Sequence, residues 1–120
     1  MPRLGELEAA IMEVLWSASD PATVRKVLGA LERDPEPAYT TVMTVLDNLH
    51  RKGIVTRERA GRAWAYRAAQ SREEFDADAM AAVLESSADR SATLLRFIGK
   101  ISPEELARLR ETLDAAEGTR

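Results

Sequence analysis

Ala38-Tyr39-Thr40-Thr41-Val42-Met43-Thr44-Val45-Leu46-Asp47-Asn48-Leu49-His50-Arg51-Lys52-Gly53 is the stretch on which the fold turns. Val42, Val45, Leu46 and Leu49 follow the i, i+3, i+4, i+7 spacing of one buried helical face. The opposite face carries Thr40, Thr41, Met43, Thr44, Asp47, Asn48 and Arg51. A face built only for solubility usually alternates Glu with Lys. Short hydroxyls and an amide suit a DNA major groove, where they bond phosphates or base edges, and Thr and Met add methyl groups that can meet thymine. A solvated helix that is merely Thr-rich is the competing reading, and the surrounding sequence separates the two. Gly53 ends the helix after cations that complement its dipole.

Two β-like stretches come next. Ile54 to Arg59 runs out, Ala60-Gly61 turns, and Arg62 to Arg67 returns. Trp64 and Tyr66 share one face by the two-residue period and are expected to pack the hairpin onto the helices. Arg59 and Arg62 flank the turn, so the tip is cationic and suited to a phosphate backbone or a minor groove. A helix followed by such a hairpin is the layout of a winged helix-turn-helix.

The overall charge of −3 hides an asymmetry. From Tyr39 to Arg67 the net charge is +4, whereas from Ser71 to Arg120 it is −4. Phosphate neutralisation is local, so the basic face counts for more than the total. The chain has no cysteine, which excludes disulfides and thiolate metal sites and fits a reducing cytoplasm. Neither a membrane-spanning segment nor a secretory leader is expected, nor any cofactor or metal.

Leu4, Leu7, Ile11, Val14 and Leu15 form the stripe of a first helix ending near Trp16. Pro21-Ala22 suits a brief edge strand, and Thr23 suits the N-cap of a second helix from Val24 to Glu32. Asp34-Pro35-Glu36-Pro37 ends that helix and stiffens the turn into the Thr-rich one. Beyond the hairpin, Ser71-Arg72-Glu73-Glu74 is a capping box, and Ser102-Pro103-Glu104-Glu105 is a second helix start, with a short helix from Ser91 to Lys100 between them. The expected domains are therefore a winged helix over residues 1–69 and a three-helix segment over 70–120. About fifty residues are too few to bury a core of their own comfortably. The apolar positions Phe75, Met80, Val83, Leu84, Leu94, Leu95, Phe97, Ile98, Leu106, Leu109 and Leu113 are expected to meet a second chain, as in two-fold DNA readers.

Leu4-Gly5-Glu6-Leu7-Glu8, Ile11-Met12, Leu15-Trp16, Thr23-Val24-Arg25, Val27, the Ala38–Leu46 string, Leu49, Lys52-Gly53-Ile54-Val55 and Tyr66 together resemble the penicillinase-repressor family of the BlaI/MecI type. The likeness covers essentially the whole chain, and its last third matches by helix pattern more than by motif. It implies a mainly α fold with a small β-wing, an N-terminal winged helix and a C-terminal helical dimerisation domain. It also implies homodimeric repression at dyad operators, relieved when a β-lactam sensor triggers proteolysis in the dimerisation domain. The family's cleaved bond matches Arg96-Phe97 here, where Arg96 replaces the Asn of other members. Copper-responsive relatives carry a cysteine cluster that this chain lacks.

The DNA-contacting set is then Thr40, Thr41, Met43, Thr44 and Asn48 for bases or nearby phosphates, with Arg51, Lys52, Arg59 and Arg62 for the backbone. The expected partners are double-stranded DNA, a second copy of the chain and a sensor-linked protease. Two other readings stay open. One is a regulator that binds a small molecule near Trp16; the other is a winged-helix protein-interaction module. Enzymatic chemistry is not expected: His50 is the sole histidine, and no nucleophile–base pair is visible.

Overall fold

A computed structural model describes residues 4–118. In chain order the elements are α1 (Glu6–Ser17), β1 (Ala22–Thr23), α2 (Val24–Ala30), α3 (Tyr39–Arg51), β2 (Val55–Ala60), β3 (Ala63–Ala68), α4 (Arg72–Ser86), α5 (Arg90–Ile98) and α6 (Pro103–Gly118). The chain divides into two compact units, the first running to Asp78 and the second beginning at Ala79.

The first unit is built around one core. Ile11, Met12 and Leu15 of α1 meet Val24 and Val27 of α2, Val42, Leu46 and Leu49 of α3, and Val55 and Tyr66 of the hairpin. The apolar stripe of α3 is fully buried at Val42, Leu46 and Leu49, with Val45 at its margin. Gly53 closes α3 in a Schellman turn. At φ 78° it donates to the His50 carbonyl, while Ile54 donates to that of Leu49, both at 3.0 Å. The chain is thereby turned directly from the helix into β2.

The sheet has the order β1-β3-β2, antiparallel throughout, with Ala22 opposite Tyr66 and Arg57 opposite Tyr66 on the other side. The wing turn lies one residue later than the sequence suggests. Ala60 and Ala63 form the closing pair, and Gly61-Arg62 make the two-residue turn. Gly61 sits at φ 66°, and no non-glycine residue among those described has positive φ, which is the II′ pattern with glycine first. Arg62 therefore occupies the tip itself, and Arg59 lies within β2.

Thr23 caps α2 by accepting the Lys26 N–H at 3.2 Å. The helix stops at Ala30 instead of Glu32 because Leu31 turns to extended backbone while its side chain stays buried. Ser71 and Glu74 form the expected capping box, with Glu74 N–H donating to Ser71 Oγ at 3.1 Å and Ser71 N–H to Glu74 Oε1 at 3.0 Å. Asp89 caps α5 through the Ala92 N–H at 3.0 Å, so that helix begins at Arg90. Glu105 N–H donates to Ser102 Oγ at 3.2 Å at the start of α6.

The unit boundary falls inside α4. Trp16 Nε1–H donates to the Gln70 carbonyl at 3.1 Å, its ring meets Phe75 at 5.5 Å, and Arg72 pairs with Glu13 at 2.7 Å. Phe75, expected at a dimer contact, is instead buried in the first unit against Trp16. The second unit looks different. Neither α5 nor α6 has a buried residue, while Val83, Leu94, Leu95, Phe97, Ile98, Leu109 and Leu113 are all exposed, Leu95 at 69%.

The two faces of α3 should respond oppositely to truncation. Leu46→Ala should destabilise the first unit by about 2–5 kcal/mol, and Met43→Ala by no more than about 0.5 kcal/mol, in urea unfolding followed by tryptophan fluorescence. Equal losses would place the helix in the wrong phase. A second test uses Glu8, whose carboxylate accepts the Gly5 N–H at 2.9 Å and pairs with Lys52 at 3.1 Å. Those two contacts, the backbone bond foremost, hold its pKa below the usual glutamate value. The stability it contributes is complete above the ordinary carboxylate range and is lost as pH falls through the depressed folded value. The Tm of the native chain should therefore fall more steeply on acidification than that of Glu8→Gln.

Candidate nucleic-acid interface

With the apolar stripe buried, helical geometry decides what α3 presents outward. Thr40, Thr41, Met43 and Thr44 are all solvent-exposed, and Asn48 is half-buried further along. Thr44 Oγ1–H donates to the Thr40 carbonyl at 2.9 Å. Its hydroxyl proton is thus committed, leaving lone pairs and a methyl group to meet a ligand. Tyr39, absent from the expected set, opens the helix at 45% exposure, one turn before Met43 at 43%. Its position four residues before Met43 is the signal that marks it.

The cations are less free than their sequence positions suggest. Arg51 donates to Asp47 Oδ2 at 2.6 Å, and Lys52 reaches across to Glu8 on α1 at 3.1 Å. Arg59 lies over the Trp64 ring, 4.2 Å from its centroid, and donates to the Arg62 carbonyl at 3.2 Å. Only Arg62, of the four expected backbone anchors, has no ion-pair or ring partner among the described residues. Exposed ion pairs are worth about 0–1 kcal/mol, so Arg51 and Lys52 can be surrendered to phosphate at small cost.

Two residues outside the expected set join the helix to the wing. Arg57 donates to Asp47 Oδ1 at 3.3 Å, and its guanidinium stacks on Trp64 at 4.3 Å. Trp64 therefore meets the guanidinium groups of both Arg57 and Arg59 while packing against the core margin. The hydrogen bond from Arg51, supported by Arg57, holds the Asp47 carboxyl below the usual aspartate range. The two-residue period puts Arg57 and Arg59 on one strand face, but the cross-strand register is what sets them over Trp64.

A family model described as penicillinase repressor matches residues 4–115. The chain belongs to the penicillinase repressor family. It is also 40% identical to the transcriptional regulator BlaI of Mycobacterium tuberculosis, in two strains, over 126 aligned positions covering 100% of this chain and 91% of that protein. Among solved structures it is similar to the complex structure of hsRosR, with a TM-score of 0.51, 22% identity and coverage of 88% of this chain and 92% of that one. A point mutant of S. aureus MepR also has a TM-score of 0.51, at 17% identity, covering 97% of this chain and 79% of that one. These structural likenesses confirm the fold. The family is one of transcriptional regulators and not of enzymes.

The Trp16 ring packs against Phe75 and lies under Arg72, whose guanidinium is 5.7 Å from its centroid, and so helps to hold the start of α4. His50 lies half-buried in the last turn of α3. No helix among the described residues is long and apolar enough to cross a membrane.

Arg62→Ala should weaken binding to every DNA sequence alike and lower the slope of log K against log salt by about 1 per chain. The measurement is fluorescence anisotropy over a salt series on one selected and one scrambled duplex. A loss confined to the selected duplex would make Arg62 a base reader.

Proposed function

We propose that the chain is a homodimeric transcriptional repressor that reads dyad operators through α3 and grips the phosphate backbone through the wing. The exposed first half of α3's outward face, uncharged from Tyr39 to Thr44, carries this reading. Thr40, Thr41, Met43 and Thr44 stand outward on a helix whose other face is locked in the core. The first two turns of such a helix can enter a groove without bringing an anion to the bases, and their methyl and hydroxyl groups discriminate among base edges. Asn48 offers a bidentate amide, and Arg51, Lys52, Arg59 and Arg62 supply the surrounding positive field.

The dimer rests on the second unit. Met80, Val83, Leu84, Leu94 and Phe97 line an apolar hollow of about 240 Å³, together with Thr93. Leu95, Ile98, Leu109 and Leu113 add exposed apolar surface, and Leu106 lies half-buried on α6. A second copy would cover these side chains and set two α3 helices about 34 Å apart, one turn of DNA. Occupying a promoter dyad then excludes polymerase. The resemblance to BlaI supports derepression by cleavage of Arg96-Phe97 downstream of a β-lactam sensor. Both residues are exposed on α5.

Selection from a random DNA pool, with complex stoichiometry read by sedimentation, tests the reading. An enriched dyad bound by two chains is expected. Asn48→Ala should then lose about 1–3 kcal/mol of discrimination, and Val83→Glu should shift the chain to monomer by burying a charge in an apolar contact. A single enriched half-site would remove the dimer, and no enrichment at low salt would favour a protein-interaction module. The cleavage step is read by mass spectrometry of the chain recovered from cells given a β-lactam, where a new N-terminus at Phe97 is expected.

A further inference from the structure

We infer that Asp47 is a positioning residue that ties the wing to the reading helix, and that DNA phosphate completes its work by taking Arg51 from it. The inference rests on the DNA-reading function proposed above. Asp47 is the sole anion on a face that otherwise carries hydroxyls, an amide and cations. By sign alone it is misplaced there, because a carboxylate facing phosphates repels them. Its geometry supplies the reason for its presence. One oxygen holds Arg51 of its own helix at 2.6 Å, and the other holds Arg57 of β2 at 3.3 Å.

From Arg57 the connection continues into the wing. Arg57 lies on Trp64, Arg59 on the same ring, and Arg59 bonds the carbonyl of Arg62 at the tip. The tip cation is thus joined to the reading helix by a chain of contacts that begins at one carboxylate. The two ends of that carboxylate are not equivalent. Arg51 is 73% exposed and can swing to a phosphate, whereas Arg57 is 23% exposed and pinned on Trp64. When phosphate draws Arg51 away, Asp47 keeps Arg57, and the wing is held more firmly as the complex forms.

This separates Asp47 from a bystander. Neutralising a bystander anion on a DNA-facing surface would tighten binding to all DNA and leave other contacts as they were. Neutralising a tether frees the wing, so the phosphate contact of Arg62 loses value although Arg62 does not touch Asp47.

The test is a double-mutant cycle on the full chain, combining Asp47→Asn with Arg62→Ala and reading affinity and salt slope on the selected duplex. In the native background Arg62→Ala should weaken binding about 2–10-fold per chain. In the Asp47→Asn background its effect should fall below about 2-fold, and Arg57→Gln should reproduce that result. Amide relaxation of the DNA-free protein provides the second reading. Asp47→Asn should raise the mobility of residues 59–63 and leave α3 unchanged. Additive losses in the cycle would overturn the inference, as would an unaltered wing in the free protein. If the wing loosens but no variant binds DNA, the DNA-reading function fails while the tether stands.

Discussion

The buried stripe of α3 is the constraint on which the rest depends. Val42, Leu46 and Leu49 are fully enclosed by α1, α2 and the hairpin, and each would cost a few kcal/mol to expose. That burial fixes the rotation of the helix about its own axis. Once the rotation is fixed, the outward residues have no further freedom, because side chains three and four apart must share a face. The Schellman turn at Gly53 then delivers the chain into β2 at a set angle, so the wing is placed by the same residues that place the helix. Function is thus a by-product of packing: the core decides which threonines face out and where the hairpin starts.

Charge on this surface obeys a different logic from charge in a simple basic patch. Three of its cations are paired at rest, Arg51 with Asp47, Lys52 with Glu8, Arg57 with Asp47 and Trp64. Exposed pairs of this kind add little stability, since solvent screening offsets most of their attraction. They do restrict long side chains to one region before any ligand arrives. A guanidinium already held near its working position loses less rotamer entropy when it moves to a phosphate. On the proposed DNA contacts, the resting pairs would therefore act on binding more than on folding. Arg62, which has no such pair among the described residues, stands at the turn of the wing.

Much of this is legible in the residues alone. The 3.6-residue period reveals α3 and its two faces, the capping box at Ser71 and the N-cap at Ser102 mark helix starts, and Gly53 marks a helix end, because each is a local signal with a local cause. Contacts that depend on cross-strand register are harder to read. Arg57 and Arg59 meet Trp64 only because Arg59 pairs opposite Trp64 and Arg57 opposite Tyr66, and register shifts with the residues of the turn. A turn placed one residue early puts Arg59 at the tip and hides the link to Asp47. Phe75 misleads for a related reason. Its helical period joins it to Met80 and Val83, but the indole of Trp16, far away in sequence, offers it a partner within the first unit.

In the second unit the helices are well started and poorly buried. Its N-caps are satisfied at Asp89 and Ser102, so α5 and α6 are locally encouraged, yet no residue of either is buried. Isolated helices of this length are marginal in water, because propagation scarcely repays nucleation. On the proposed dimer, the missing burial comes from the partner, and association energy becomes part of the folding energy of the segment. Cutting such a helix at Arg96-Phe97 then does more than remove a contact. It splits the apolar set of α5 at Phe97, leaving Leu94 and Leu95 on one fragment and Ile98 on the other, so neither half retains the stripe that a partner would cover. On the proposed mechanism, a single cleavage far in sequence from α3 would release the dyad operator, since a lone winged helix would forfeit the roughly 10²–10⁴-fold gain of binding two half-sites together.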